Sequence, residues 1–307
     1  MSNDQLKICT YNFRFCRLAD QIENVGCMPY FISSGILPNT ITFFLGIIVC
    51  FFFIFFINTF KDYPTKWENQ RPTRGAIMWK AHFFILGIYA LFWGFGESVS
   101  YTNNKGLLAL RLVFFVAGET LLFAIGLLDT QLLPGTLKTT IICIIVSSFI
   151  GLVSLLNLSS PIAKKAVSFF ALGLPVGCIY AHFLMMICVC CTRKLWKALI
   201  WLFIMTLTNS APVFIEMTLN TPLCNISQGY FSASAFAILI FAFYRLAATF
   251  FYPLLKKHEC KDGLGTNKVM KGQGYDDETI PALIDGDDYE YSYTYTDVDD
   301  DDQRLDM

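Results

Sequence analysis

Glu119 and Arg245 are charged side chains that fall near the middle of long apolar runs, and Asn209 lies at the middle of a third such run. A charge in the hydrocarbon core of a bilayer costs at least about 2.5–3.5 kcal/mol on insertion scales, so each needs a partner or a use. Counting rise along the helices puts Glu119 and Arg245 at nearly the same depth. An ion pair between them, with Asn209 beside it, would satisfy all three. Such a cluster either locks a helix bundle together or works in a ligand cavity or conformational switch. Glu97 and Glu216 complete the candidate polar set; like Arg111, Lys80 and His82, they lie near the ends of their runs, within reach of headgroups or an outer vestibule.

A second group of residues points to covalent chemistry. Cys9, Cys16, Cys27 and Cys224 would share one side of the membrane, where four thiols allow three disulfide pairings or none. Asn225-Ile226-Ser227 is a glycosylation sequon on the same side, in a short loop; Asn157-Leu158-Ser159 at the end of the fourth run is a weaker one. On the other side Cys188, Cys190 and Cys191 precede Arg193-Lys194, and Cys260 follows the last apolar residue by five positions. Juxtamembrane cysteines beside basic residues are palmitoylation candidates, although cysteine is also common in apolar helices as a small hydrophobe. Tyr289, Tyr291, Tyr293 and Tyr295 alternate with polar and acidic residues near the C-terminus and are phosphorylation candidates. The three histidines, His82, His182 and His258, are too scattered for a zinc site. With no Walker loop, dinucleotide fingerprint or nucleophile elbow, the sequence gives no reason to expect an enzyme, a cofactor, a metal or nucleic acid.

These residues are positioned by an all-α membrane architecture. Apolar runs cover about 36–60, 76–97, 107–127, 139–156, 166–191, 197–219 and 231–255, each close to the roughly 20 residues a helix needs to cross a bilayer. Composition agrees, with 55% hydrophobic and only 15% charged residues. The expected organisation is an N-terminal segment 1–35, a seven-helix domain 36–255 and a tail 256–307. From Tyr275 onward there are 13 acidic residues against Arg304, a net −12 that leaves +11 on the rest of the chain. Such a tail has no pattern able to bury a core and is expected to be disordered from about 272. With the N-terminus outside, 11 basic residues fall on the cytoplasmic side and six on the other, although Lys164 and Lys165 oppose that orientation. No signal peptide is apparent, so the first helix would insert the chain.

The rhodopsin-like pattern is missing. The third run ends Gly126-Leu127-Leu128-Asp129-Thr130, the seventh Thr249-Phe250-Phe251-Tyr252-Pro253, and no lysine in the seventh could hold retinal. Pro175 and Pro212 are expected to kink helices five and six. With the helices placed, the chain resembles the adipocyte-associated transmembrane protein family, orphan seven-pass proteins often grouped with G-protein-coupled receptors. Phe114-Phe115-Val116-Ala117-Gly118-Glu119, Gly126-Leu127, the stretch from Asn209 through Cys224 to Tyr230-Phe231, and Ala237–Phe243 carry the likeness. The resemblance implies an N-out, receptor-like protein without an assigned ligand; the three-cysteine N-terminal segment and the acidic tail depart from it.

The expectation is thus an orphan receptor-like protein of the plasma membrane or endomembrane system, with G-protein coupling one form its signalling could take. It would contact membrane lipid, a small-molecule or peptide ligand, and cytoplasmic signalling or trafficking proteins. A small-molecule or lipid transporter and a trafficking adaptor acting through its tail are the rivals. Transporter folds often contain internal repeats, and comparing runs one to three with five to seven shows only scattered echoes.

Overall fold

A backbone in hydrocarbon must bond all of its own polar groups, which an apolar stretch achieves by coiling into a helix. The computed structural model describes residues 40–60, 75–99, 105–130, 132–133, 137–159, 173–219 and 233–270, and among them the chain is all-helical. The helices are α1 (Thr40–Phe55, continued by a 3-10 turn Phe56–Thr59), α2 (Gly75–Val99), α3 (Lys105–Asp129), α4 (Leu137–Ser159), α5 (Leu174–Thr192), α6 (Trp196–Thr218) and α7 (Ala233–Met270). Each contains a segment long and apolar enough to cross a membrane, so the chain is an integral, multi-pass membrane protein. Cys9, Cys16, Cys27, Cys224, Asn225, the four tail tyrosines and the acidic tail lie outside the described residues.

α3 is the hub. In its spanning segment 78% of residues are buried, against 22% in α4 at the periphery. The polarity of α4 is reversed from that of a soluble helix. Thr140, Ser147 and Ser154 are buried, while Ile141, Ile142, Ile145, Phe149 and Leu152 face outward. Gly151 sits against α3 so closely that a Cβ there would lie 2.6 Å from the Val113 carbonyl oxygen. α1 and α2 also approach closely. A Cβ on Gly46 would stand 2.7 Å from Gly94 Cα and 2.8 Å from the Ala90 carbonyl oxygen, so the two backbones touch there.

Aromatic rings fill the space between α1, α2 and α7. Phe53 stacks on Phe241 at 5.1 Å, Phe60 on Phe83 at 5.0 Å, and Tyr252 meets Phe60 edge-on at 5.1 Å. Trp201 on α6 stacks on Phe250 of α7 at 4.5 Å.

One boundary differs from the sequence expectation. α7 continues past residue 255 to Met270, because Lys256, Lys257, His258, Glu259 and Lys261 end an apolar run without ending a helix. Residues 1–264 form one compact unit and residues 265–307 another, of which only the last residues of α7 are described. Pro175 lies in the first turn of α5 as described, and residues 160–172, through which the sequence carries the fifth span back to 166, lie outside the described residues. Pro212, by contrast, is inside α6 as expected.

α5 and α6 are joined by only Arg193, Lys194 and Leu195. Lys194 takes a left-handed conformation, φ 54°, and the Leu195 N–H bonds the Cys190 carbonyl at 2.8 Å while the Lys194 N–H reaches Cys191. This closes α5 with a Schellman motif in which lysine stands where glycine is usual.

Candidate functional site

Two polar rungs join α3 to α6. At the first, Nη2 of Arg111 donates to both carboxylate oxygens of Glu216, each at 3.0 Å. The pair is almost dry, with side chains 2% and 6% exposed. Ser234 at the start of α7 donates its hydroxyl to Glu216 Oε1 at 2.9 Å, and the guanidinium lies 4.4 Å from the Trp93 ring centre. At the second rung Asn209 Nδ2 donates to Glu119 Oε2 at 3.0 Å. The eight residues from Arg111 to Glu119 span about 12 Å of α3, and Asn209 and Glu216 project within about 20° of one face of α6. Antiparallel helices with these spacings put both rungs in register.

Pro212 lies between the rungs. It has no N–H to offer the Thr208 carbonyl. Just before it, Thr206, Thr208 and Ser210 turn their hydroxyls back onto the carbonyls of Leu202, Ile204 and Thr206. Such back-bonding loosens and bends a helix. The polar run around Asn209 is therefore spent on α6 itself, apart from Asn209.

A third contact ties α2, α3 and α7. His82 Nδ1 is 2.9 Å from the Gly118 carbonyl oxygen and its Nε2 is 2.6 Å from the Tyr244 hydroxyl. A carbonyl can only accept, so Nδ1 carries the hydrogen; in the neutral ring Nε2 then accepts from Tyr244. Next to Tyr244, Arg245 points toward α1. Its guanidinium donates to Thr249 Oγ1 at 2.8 Å, to Thr59 Oγ1 at 3.0 Å and to the Phe56 carbonyl oxygen. It also rests 4.2 Å and 4.4 Å from the ring centres of Phe60 and Phe83.

This arrangement corrects the pairing expected from depth. Glu119 and Arg245 are both fully buried, but Glu119 is bonded by Asn209, and Arg245 by neutral oxygens of α7 and of the 3-10 turn after α1, with the rings of Phe60 and of Phe83 on α2 against it. Equal depth did not mean a shared face. Arg111, Glu216 and His82, expected to reach headgroups or a vestibule, are instead enclosed and bonded within the bundle. The Arg111–Glu216 pair did have a sequence signal: opposite charges, one in the first two turns of α3 and one in the last turn of α6, ends that antiparallel helices bring to the same side. Glu97 lies in the last turns of α2, but its side chain is outside the described residues.

Some buried atoms have no hydrogen-bond partner among the described residues, notably Glu119 Oε1, Asn209 Oδ1, His182 Nε2 and Trp79 Nε1. His182 meets the Trp79 ring edge-on at 6.1 Å. No three His, Cys, Asp or Glu side chains converge as metal ligands among the described residues.

Compared with protein-family models, with curated proteins and with solved structures, the chain matches none.

Proposed function

We propose that this chain is a receptor-like membrane protein in which α6 is the moving element. The observation that carries the reading is the pair of α3–α6 rungs placed on either side of Pro212. The Arg111–Glu216 rung is a desolvated ion pair and holds one half of α6 firmly. The Glu119–Asn209 rung is a single hydrogen bond and holds the other half by far less. A small-molecule or peptide ligand binding near Arg111 would bias the weak segment between them. Signalling or trafficking proteins, G proteins among the candidates, would meet the bundle where Arg193 and Lys194 join α5 to α6. The excess of basic residues supports placing that end, and the C-terminus, in the cytosol. Membership of the adipocyte-associated transmembrane protein family, suggested by the resemblance of the sequence, is part of the same proposal.

Spin labels at exposed Leu132 and Lys197 test it in lipid nanodiscs. Asn209→Leu should lengthen or broaden the distance between them, while an unchanged distribution would remove α6 as the switch. An epitope placed after Met307 should bind antibody only in permeabilised cells.

A transporter or lipid translocator is the second reading, favoured by the unpartnered Glu119 Oε1 and Asn209 Oδ1 deep in the bundle. Solute or lipid flux across proteoliposomes, abolished by Glu119→Gln, would establish it in place of the first.

A further inference from the structure

Seven cysteines lie on described helices; the side chain of one, Cys260 on α7, is outside the described residues. Cys50, Cys178 and Cys190 are buried and Cys143 is half-buried; Cys188 and Cys191 are exposed. The two exposed thiols are placed by the pitch of α5. Tyr180 and Leu184 are exposed on that helix at 42% and 62%, and steps of four, four and three residues carry the same stripe through Cys188 to Cys191. Eleven residues are about three turns, so Cys191 lies within about 20° of Tyr180, and the four side chains share one face about 80° wide. The stripe faces lipid. α5 stays wound through Thr192, whose hydroxyl bonds the Cys188 and Val189 carbonyls, so both cysteines keep helical register.

Depth is fixed by the turn that follows. Arg193 and Lys194 come immediately after Thr192, and Trp196, 66% exposed, opens α6 beyond them. Basic residues and an outward tryptophan mark the boundary between hydrocarbon and headgroups. Cys191 therefore stands at the interface and Cys188 about 4.5 Å farther in, on the lipid side. Cys190, between them in sequence, points into the bundle and is 2% exposed.

We propose that Cys188 and Cys191 are sites of S-acylation by a long-chain acyl thioester, and that Cys190 is not. The cysteine sulfur attacks the thioester carbonyl, a new carbon–sulfur bond forms as the carrier's breaks, and the departing thiolate takes up the proton that cysteine loses. No oxidant or reductant enters. Each acyl chain would then lie beside the stripe of Leu184 and Tyr180, already immersed in lipid, with its carbonyl at headgroup depth. The inference does not depend on the receptor reading.

Hydroxylamine-dependent mass tagging of the full chain expressed in animal cells tests it. Cys188→Ser and Cys191→Ser should each lose one tag, the double variant two, and Cys190→Ser none. Because both side chains face outward, the double variant should keep the wild-type thermal midpoint in detergent. Tags insensitive to hydroxylamine, a double variant that loses fewer than two, or loss of a tag in Cys190→Ser would overturn the assignment.

Discussion

Arg111 and Arg245 are both enclosed by the bundle, yet they are held by opposite means. Arg111 faces a carboxylate, with Trp93 beneath it and Ser234 completing the carboxylate's shell. Arg245 makes its hydrogen bonds to two hydroxyls and a backbone carbonyl and lies on two phenylalanine rings. In the first region the charges neutralise each other, and the result is a fastening between α3, α6 and α7. In the second the positive charge is spread over neutral dipoles and ring faces, and the result is a clasp between α7 and the 3-10 turn that ends α1. Burial of a cation inside a membrane protein thus does not identify a salt bridge. What surrounds it has to be read residue by residue.

The largest expected effect follows from the ion pair. Arg111→Gln or Glu216→Gln leaves one buried charge uncompensated and should lower unfolding free energy by about 3–5 kcal/mol. The double variant should lose much less than the sum, as read by a double-mutant cycle of denaturant unfolding in mixed micelles. Additive losses would show that the two charges are not coupled.

Arg245 should behave differently. Arg245→Gln breaks charge-assisted bonds to neutral acceptors and should cost about 2–3 kcal/mol. Combined with Glu119→Gln it should be additive within about 0.5 kcal/mol, since the two share no partner. A coupling well above that would restore the Glu119–Arg245 pair. Asn209→Leu removes one hydrogen bond to Glu119 and should cost about 1–2 kcal/mol in the same assay, a smaller loss than at either arginine. The smallest effect belongs to a fastening made by backbone alone. Lys194→Gly relieves the left-handed lysine and should raise stability by about 1 kcal/mol; no gain would mean that the turn is not strained.

The seven spans were legible in the sequence because an apolar run of bilayer length reads the same whatever it packs against. The partners of the buried charges were not legible to the same degree. Depth follows from counting residues, but facing depends on rotation, and neighbours on a helix differ by about 100°. Tyr244 and Arg245 show the consequence: adjacent in sequence, one meets His82 on α2 and the other Thr59 beyond α1. Asn209 was recognisable as a buried polar group at the right depth, and its link to Glu119 keeps that part of the candidate cluster together. The continuation of α7 was hidden for another reason, since hydropathy reports where the membrane ends rather than where the helix does.

The meeting of Gly46 with Gly94 has a mechanical consequence. With Cα and carbonyl atoms in direct contact, α1 cannot slide or roll on α2 without a collision, and there is no side chain between them to yield. These two helices form a stator, and α3, set against them through Gly118 on Leu86, extends it. In the proposed reading, displacement is taken up across from this block, by α6, whose two polar links to α3 differ in strength.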